Sequence, residues 1–486
     1  MKVLFVGTEL FPHVTVGGLA DVLSGLPAAL ARAGVEVRML LPGYPELLRV
    51  AAPLTPVASL GALMGGGNAR LVRGRTPAGL EVYLLDQPSF FGTGGPYADR
   101  PDAPRRFAAL SWAAAHLGRR GDGGWVPDIL HAHDWPTGLA PAYLAFQPGP
   151  RPATLFTIHN LAYQGIFPAE LLPRLHLPET RFTPDDLEYF GQLNFLKAGI
   201  RHADRITTVS PTYAREIQDA SRGGLQGLLA LQGESLVGIL NGVDEAIWSP
   251  GASPHLAHPY DVDHLERRPL NKRALQAEMG LREDPRALLF GIVSRFAPQK
   301  GLDLVLDALP ILEDLGAQLL VLGQGDGALE AAYRAEALRR PGRMSVRVGF
   351  DTGLSHRCFA GTDVLLVPSR EEPCGLTQLY AQAFGSLPLA RRTGGLADTV
   401  VDATPEALRA RRASGFLFEE VSAEALASAM ARAHTLFRQA PEAWQLLQRT
   451  AMGLDRSWSR AAQSYLALYQ ELGAHPAAVA AAEPAP

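Results

Sequence analysis

Two cations set close together open the second half of this chain to chemistry. Ser294-Arg295-Phe296-Ala297-Pro298-Gln299-Lys300-Gly301 follows an apolar run and precedes a helical stretch. Arg295 and Lys300 would stand at the helix entrance, where exposed N–H groups favour an anion, and two cations there suit a diphosphate. The plain alternative is a pair of solvated surface charges. Of 45 basic residues only Lys2, Lys197, Lys272 and Lys300 are lysines. A codon bias towards Arg accounts for that ratio, yet it singles out each compact ammonium in a chain of planar guanidiniums. Further on, Pro368-Ser369-Arg370-Glu371-Glu372-Pro373-Cys374-Gly375-Leu376-Thr377-Gln378 repeats the arrangement with carboxylates at the turn. Glu372 reads either as a first-turn acid matching the helix dipole or as an acceptor for sugar hydroxyls.

The first half carries polar clusters of another kind. His131-Ala132-His133-Asp134-Trp135 has the spacing of metal ligands, but no further motif completes a metal site, which favours a polar pocket wall. Thr157-Ile158-His159-Asn160 follows a strand directly, a place that favours a ligand contact for His159 over a capping role. Asn241-Gly242 reads as a turn at a domain junction. Gly-Gly-Leu-Ala-Asp occurs at Gly17–Asp21 and again at Gly394–Asp398, each time opening a helix behind a strand. Two glycines there let backbone approach a ligand.

These clusters need rigid elements behind them. Val3–Val6, Val35–Leu41, Val82–Leu85, Ile129–His131, Leu155–Ile158, Ile206–Val209 and Val237–Leu240 read as strands buried on both faces. Between the first two, Leu19, Val22, Leu23, Leu26 and Leu30 keep helical spacing until Gly34, giving a βαβ unit. A second set follows at Leu288–Val293, Gln318–Leu322, Ser345–Val348, Val364–Val367 and Leu387–Leu389. The expectation is α/β with two doubly wound, Rossmann-like domains, 1–248 and 269–456, joined by a Pro- and His-rich linker, 249–268. A further amphipathic helix over 457–474 and a disordered Ala/Pro-rich tail, 475–486, complete the chain.

Composition sets the limits. A chain of 486 residues with 47% hydrophobic and 19% charged residues describes a soluble protein of two large domains. A net charge of −4 leaves no footprint for nucleic acid, and no apolar run reaches the roughly 18 residues of a membrane span. The start MKVLFVGTELFPHV reads as a first strand rather than a leader, and Cys358 and Cys374 form no disulfide framework, so a cytoplasmic setting is expected.

The ordered set ELFPxxxxGGLADV, HAHDW, TIHNLAYQG, FLKAGIRHAD, TVSPTYAREI, LNGVDEAIWSP, SRFAPQKGLDL, VPSREEPCGLTQLYA and RRTGGLADTV resembles the bacterial glycogen synthases and plant starch synthases over Met1 to about Leu472. The resemblance implies a GT-B fold, with two parallel sheets facing across a deep cleft and a last helix returning to the first domain. It implies retaining transfer of glucose from ADP-glucose to the non-reducing end of an α-1,4-glucan. ADP-glucose and glycogen would be the partners, with no cofactor, metal, nucleic acid or membrane. Arg295 and Lys300 match the pair on the donor phosphates, and Glu372 the first acid of a Glu-x7-Glu pattern whose second position is Tyr380 here. Cys374, Gly375, Leu376 and Thr377 would offer backbone N–H groups. His159 and Asp134 match glucose-pocket positions, with Asn160 a substrate-binding candidate beside them; Asn241 and Tyr97 match further site positions, and Phe350 a stacking place for adenine. Gly17, Gly18 and Asp21 belong to the first glycine motif.

One departure stands out. The family reads Lys-Thr-Gly-Gly-Leu where this chain has Thr15-Val16-Gly17-Gly18-Leu19. Either the second-domain cations suffice, or a nearby Arg substitutes, or donor preference shifts. A retaining transferase with another donor, and a glucan-binding relative that has lost catalysis, are the competing readings. Asp261-Val262-Asp263 has the form of a metal–nucleotide motif but falls in the expected linker.

Overall fold

The computed structural model describes residues 1–219 and 224–474. The tail expected to be disordered lies outside the described residues. The chain divides into two compact units. Among the described residues the first comprises the segment up to Gly242 and the segment Trp458–Ala474, and the second Val243–Ser457.

In the first unit, β1 (Lys2–Val6), β2 (Glu36–Pro42), β3 (Thr55–Ala62), β4 (Asn68–Arg75), β5 (Glu81–Asp86), β6 (Ile129–His133), β7 (Ala153–Ile158), β11 (Arg205–Thr208) and β12 (Leu236–Gly238) form one sheet, and the short strands β8 (Ile166–Pro168), β9 (Glu188–Tyr189) and β10 (Gln192–Asn194) a second. The large sheet runs β12-β11-β7-β6-β1-β2-β5-β4-β3. From β12 to β5 the pairing is parallel, and strand order reverses between β1 and β6, the switch point beyond which ligands bind in open α/β sheets. In the second unit β13 (Leu289–Val293), β14 (Gln318–Gly323), β15 (Met344–Val348), β16 (Val364–Val367), β17 (Leu387–Arg391) and β18 (Phe416–Phe418) run in the order β15-β14-β13-β16-β17-β18, all parallel, with the switch between β13 and β16.

The central strands are buried on both faces because helices cover both sides. Val3, Leu4, Phe5 and Val6 are wholly enclosed, as are Leu319, Leu320 and Val321. The helix Gly18–Arg32 buries Leu19, Val22, Leu23, Leu26 and Leu30. It ends as its sequence predicts: Gly34 takes φ +90°, its N–H reaches Ala31 O, and Val35 N–H reaches Leu30 O, a Schellman closure.

Three features differ from expectation. The β3–β4 hairpin adds two antiparallel strands to an edge of the first sheet. Its alternating, half-exposed residues, with Pro56 and Gly61 at register breaks, lack the continuous apolar run of a central strand. Strand β18 is only three residues long. The segment 249–268 is not a linker, because Leu256, Tyr260 and Leu265 enter the second unit's core and the Tyr260 hydroxyl donates to Phe384 O. Trp458–Ala474 is a helix of the first unit. Its Trp458, Tyr465, Leu468, Tyr469 and Leu472 are buried in that core, and a Cβ at Gly25 would lie 2.0 Å from the Trp458 indole nitrogen. Among the described residues no helix is long and apolar enough to cross a membrane.

Candidate active site

In each unit the chemistry-bearing residues collect where the strands end. Beyond β1 lies Glu9, a residue the motif reading passed over. It is 2% exposed, and its Oε2 accepts the N–H groups of Val16 at 2.8 Å and Gly17 at 3.0 Å. Tyr97 donates its hydroxyl to Glu9 Oε1 at 2.8 Å, and that hydroxyl lies 2.7 Å from Thr8 Oγ1. Burial of the hydroxyl, with the carboxylate beside it, pushes the Tyr97 phenol up. The first glycine loop is therefore held from below by a buried carboxylate, and Thr15 and Gly18 are exposed on it. No local signal marks Glu9, since its partners lie at positions 16, 17 and 97. Asp21 sits in the first turn of the following helix.

Beyond β6 the backbone of Asp134 turns through φ +58°, a left-handed value that a non-glycine residue holds only when its surroundings require it. The turn brings Asp134 Oδ1 to the N–H of His159 at 2.7 Å and of Asn160 at 3.4 Å, beyond β7. Asn160 spends its own Oδ1 on Ala162 N–H at 3.0 Å. Burial lifts the Asp134 carboxyl to about 7, against those N–H donors, and pushes the His159 imidazole down to about 3, so His159 is neutral. The metal reading of the His-Ala-His-Asp run fails, and so does the pocket-wall reading for its first residue. His131 is wholly buried, with Nδ1 2.7 Å from the Tyr469 hydroxyl and Nε2 2.6 Å from Thr157 Oγ1.

The raised Asp134 carboxyl has a consequence for stability. Its folded pKa lies above its unfolded value, so the folded chain keeps a proton the unfolded chain has lost between about pH 4 and pH 7. Stability from this group is complete at low pH and falls as pH rises through that window. Asp134→Asn is expected to flatten the fall, by about 4 kcal/mol at neutral pH, in urea unfolding across the window. An unchanged slope would refute it.

In the second unit, Lys300 Nζ lies 2.9 Å and 2.6 Å from the two oxygens of Glu372, and Ser369 Oγ donates to Glu372 Oε2 at 2.8 Å. Glycines bring these loops together. Gly301 takes φ +64°, and a Cβ there would sit 2.1 Å from Pro368 O. Gly394 takes φ +45° with a would-be Cβ 2.0 Å from Glu372 O, and Gly395 would place one 2.1 Å from Cys374 O. Gln378, also missed, is wholly buried and clamps the turn from within, donating to Cys374 O at 2.9 Å and Gly375 O at 3.0 Å. Cys374 is buried, while Leu376 and Thr377 stand half-buried at the start of the helix Thr377–Ala383. Tyr380 stacks on Trp248 at 3.9 Å, so an aromatic there serves the core.

The structure thus joins Lys300 to Glu372, Asp134 to His159 and Asn160, and Tyr97 to the first glycine loop. It does not join Arg295, Phe350 or Asn241 to these sets. Arg295 is exposed after β13, Phe350 is 72% exposed after β15, and Asn241 is half-buried at the end of the first unit's main segment. The Asp261 carboxylate accepts the N–H groups of Asp263 and His264, the pattern of a local turn. Among the described residues no group of three or more His, Cys, Asp or Glu is placed to hold a metal.

Two Rossmann-like units with such sets at their strand ends have the make-up of a GT-B glycosyltransferase. Residues 2–231 match the family model of the starch synthase catalytic domain, and 272–437 that of glycosyl transferases group 1. Glycogen synthase from Acidiphilium cryptum is 49% identical, covering 97% of this chain and 99% of its own, and that from Albidiferax ferrireducens is 50% identical, covering 97% and 99%. The catalytic domain of starch synthase IV from Arabidopsis thaliana, solved bound to ADP and acarbose, matches with a TM-score of 0.89 at 31% identity over 97% of this chain and 99% of that one. Sucrose-phosphate synthase from Thermosynechococcus elongatus, at 20% identity and a TM-score of 0.61 over the same shares, matches in fold. The chain belongs to the glycogen synthase and starch synthase family.

Proposed function

We propose that this chain elongates glycogen, transferring glucose from ADP-glucose to the non-reducing end of an α-1,4-glucan with retention at the anomeric carbon. The observation that carries this reading is the Lys300–Glu372–Ser369 set at the β13/β16 switch, an ammonium and a carboxylate already fixed against each other. Lys300 and Arg295 take the donor diphosphate and stabilise the charge that develops as it leaves, commonly the largest catalytic term. Glu372 accepts hydroxyl hydrogen bonds from the glucose, and the Cys374–Thr377 turn offers N–H groups to sugar and phosphate. Neutral His159, with Asp134 and Asn160, addresses sugar hydroxyls. Phe350 offers an exposed face to adenine, and Asn241 and Asp21 complete the set.

Asp134 is disfavoured as a nucleophile, since its Oδ1 is spent on two backbone N–H groups. The acceptor hydroxyl therefore attacks from the face the diphosphate leaves. The bond from C1 to the acceptor oxygen forms as the bond to phosphate breaks, and the hydroxyl proton goes to the departing ADP. Trapping a glucosylated peptide containing Asp134 would overturn this order of events. The charge comes from Arg295 and Lys300, so a chelator is expected to leave turnover unchanged. Cys358 and Cys374 are buried and form no disulfide, in keeping with a cytoplasmic enzyme. The deciding assay is labelled-glucose incorporation into glycogen from ADP-, UDP- and GDP-glucose. Incorporation from ADP-glucose supports the reading, and none from any donor would support a glucan-binding relative instead.

The Thr15 departure fits this function with one charged donor contact fewer than the family's lysine gives. Thr15→Lys is expected to lower the donor KM about tenfold, the scale of one charge-assisted hydrogen bond. Unchanged donor kinetics would reject that account.

A further inference from the structure

His133 is a core residue by burial, yet one edge of its ring meets the site. The ring is closed in by Phe5, stacked at 5.4 Å and 19°, and by His131, with ring centroids 4.1 Å apart. From that clamp His133 Nδ1 lies 3.0 Å from Nε2 of His159. His159 is thereby held twice, its backbone N–H by Asp134 and its ring by His133. Only Nδ1 of His159 remains for a ligand.

The proton position follows from the far side of His133. Its Nε2 is buried and has no hydrogen-bond partner among the described residues. Were that nitrogen protonated, the chain would bury an N–H with no acceptor, a rarer defect than an acceptor left without a donor. The proton therefore sits on His133 Nδ1 and is donated to His159 Nε2. Both rings stay neutral, since burial pushes both imidazoles down. A neutral imidazole whose Nε2 accepts must carry its hydrogen on Nδ1.

We propose that His133 is a positioning residue that sets the tautomer of His159, so that the site presents an Nδ1–H donor to a sugar hydroxyl oxygen. This rests on the reading that His159 addresses a sugar hydroxyl. The tautomer itself is independent of that reading and is measured without substrate.

The test is nitrogen NMR on the full chain with 15N-labelled histidine, the His159 ring assigned by its loss in His159→Gln. The expected spectrum shows a protonated Nδ1 and an unprotonated Nε2. In His133→Leu the His159 ring is expected to lose that preference, and kcat to fall about tenfold, one hydrogen bond's worth, with the glucan KM unchanged. His133→Asn, which places an amide N–H close to where Nδ1–H was, is expected to restore both. A protonated Nε2 in the unaltered protein would overturn the proposal even if neither variant folds. Equal behaviour of the Leu and Asn variants would also overturn it. A correct tautomer with unchanged kinetics in His133→Leu would instead count against His159 as a sugar contact.

Discussion

Lys300→Ala is expected to lower kcat/KM for the nucleotide-sugar donor roughly a thousandfold, with most of the loss in kcat, because one charge is removed where the leaving diphosphate becomes negative. The pairing sharpens the expectation. Lys300 makes two contacts with a carboxylate whose side chain is 9% exposed and which also accepts from Ser369. Losing the ammonium leaves Glu372 charged, largely enclosed and supported by one hydroxyl, so the fold should also weaken by about 1–3 kcal/mol. The double variant Lys300→Ala, Glu372→Gln separates the two effects: thermal stability should return while turnover stays low. Lys300→Arg is expected to rescue poorly, since a bulkier guanidinium paired bidentately with Glu372 does not put a compact charge where the ammonium stands. Activity within tenfold of the unaltered chain for Lys300→Ala would remove this residue from the mechanism.

A chain ending at Ser457 is expected not to fold its first unit. Trp458, Tyr465, Leu468, Tyr469 and Leu472 all lie in that unit's core, and the Tyr469 hydroxyl is a partner of His131. Deleting a buried aromatic or leucine costs about 2–5 kcal/mol each, and five together, about 10–25 kcal/mol, match or exceed the roughly 5–15 kcal/mol stability of a typical protein. The milder Gly25→Leu, which collides with Trp458, should lower the thermal midpoint without altering the site's residues. A shortened chain in which the first unit's buried amides, such as those of Val3–Val6, stay protected from hydrogen exchange would contradict this. The prediction rests on packing alone, and it makes a segment remote in sequence from every motif necessary to the half of the chain that holds His159.

How much of this was legible beforehand depended on the distance over which each feature is built. Lys300 and the Glu372 turn stand out in the sequence because each sits on one continuous stretch, strand then loop then helix, while Arg295 from the same stretch stays apart from the set. The central strands were equally plain, because burial on both faces leaves unbroken apolar runs such as Val3–Val6 and Val364–Val367. Glu9 was invisible for the opposite reason. Its partners come from positions 16, 17 and 97, and nothing near it in sequence announces that convergence. His133 was quoted within a motif, but its clamp is made by Phe5 and its target lies on another strand. The segment 249–268 misled by composition. Its prolines and histidines resemble a linker, while Leu256, Tyr260 and Leu265 are too widely spaced to show a helical or strand period. The Tyr380 substitution in the Glu-x7-Glu pattern found its reason only in Trp248, far off in sequence.

The two Gly-Gly-Leu-Ala-Asp copies ask different things of evolution. At Gly394 and Gly395 the chain's own backbone fills the space a side chain would need, so foldability alone forbids change there. At Gly17 the backbone is extended, φ −156°, and nothing lies within 4 Å of the missing Cβ. Selection acting on folding would let that position drift. A glycine kept there answers to something outside the polypeptide, and its persistence among descendants of this sequence would record the shape of the molecule that visits it.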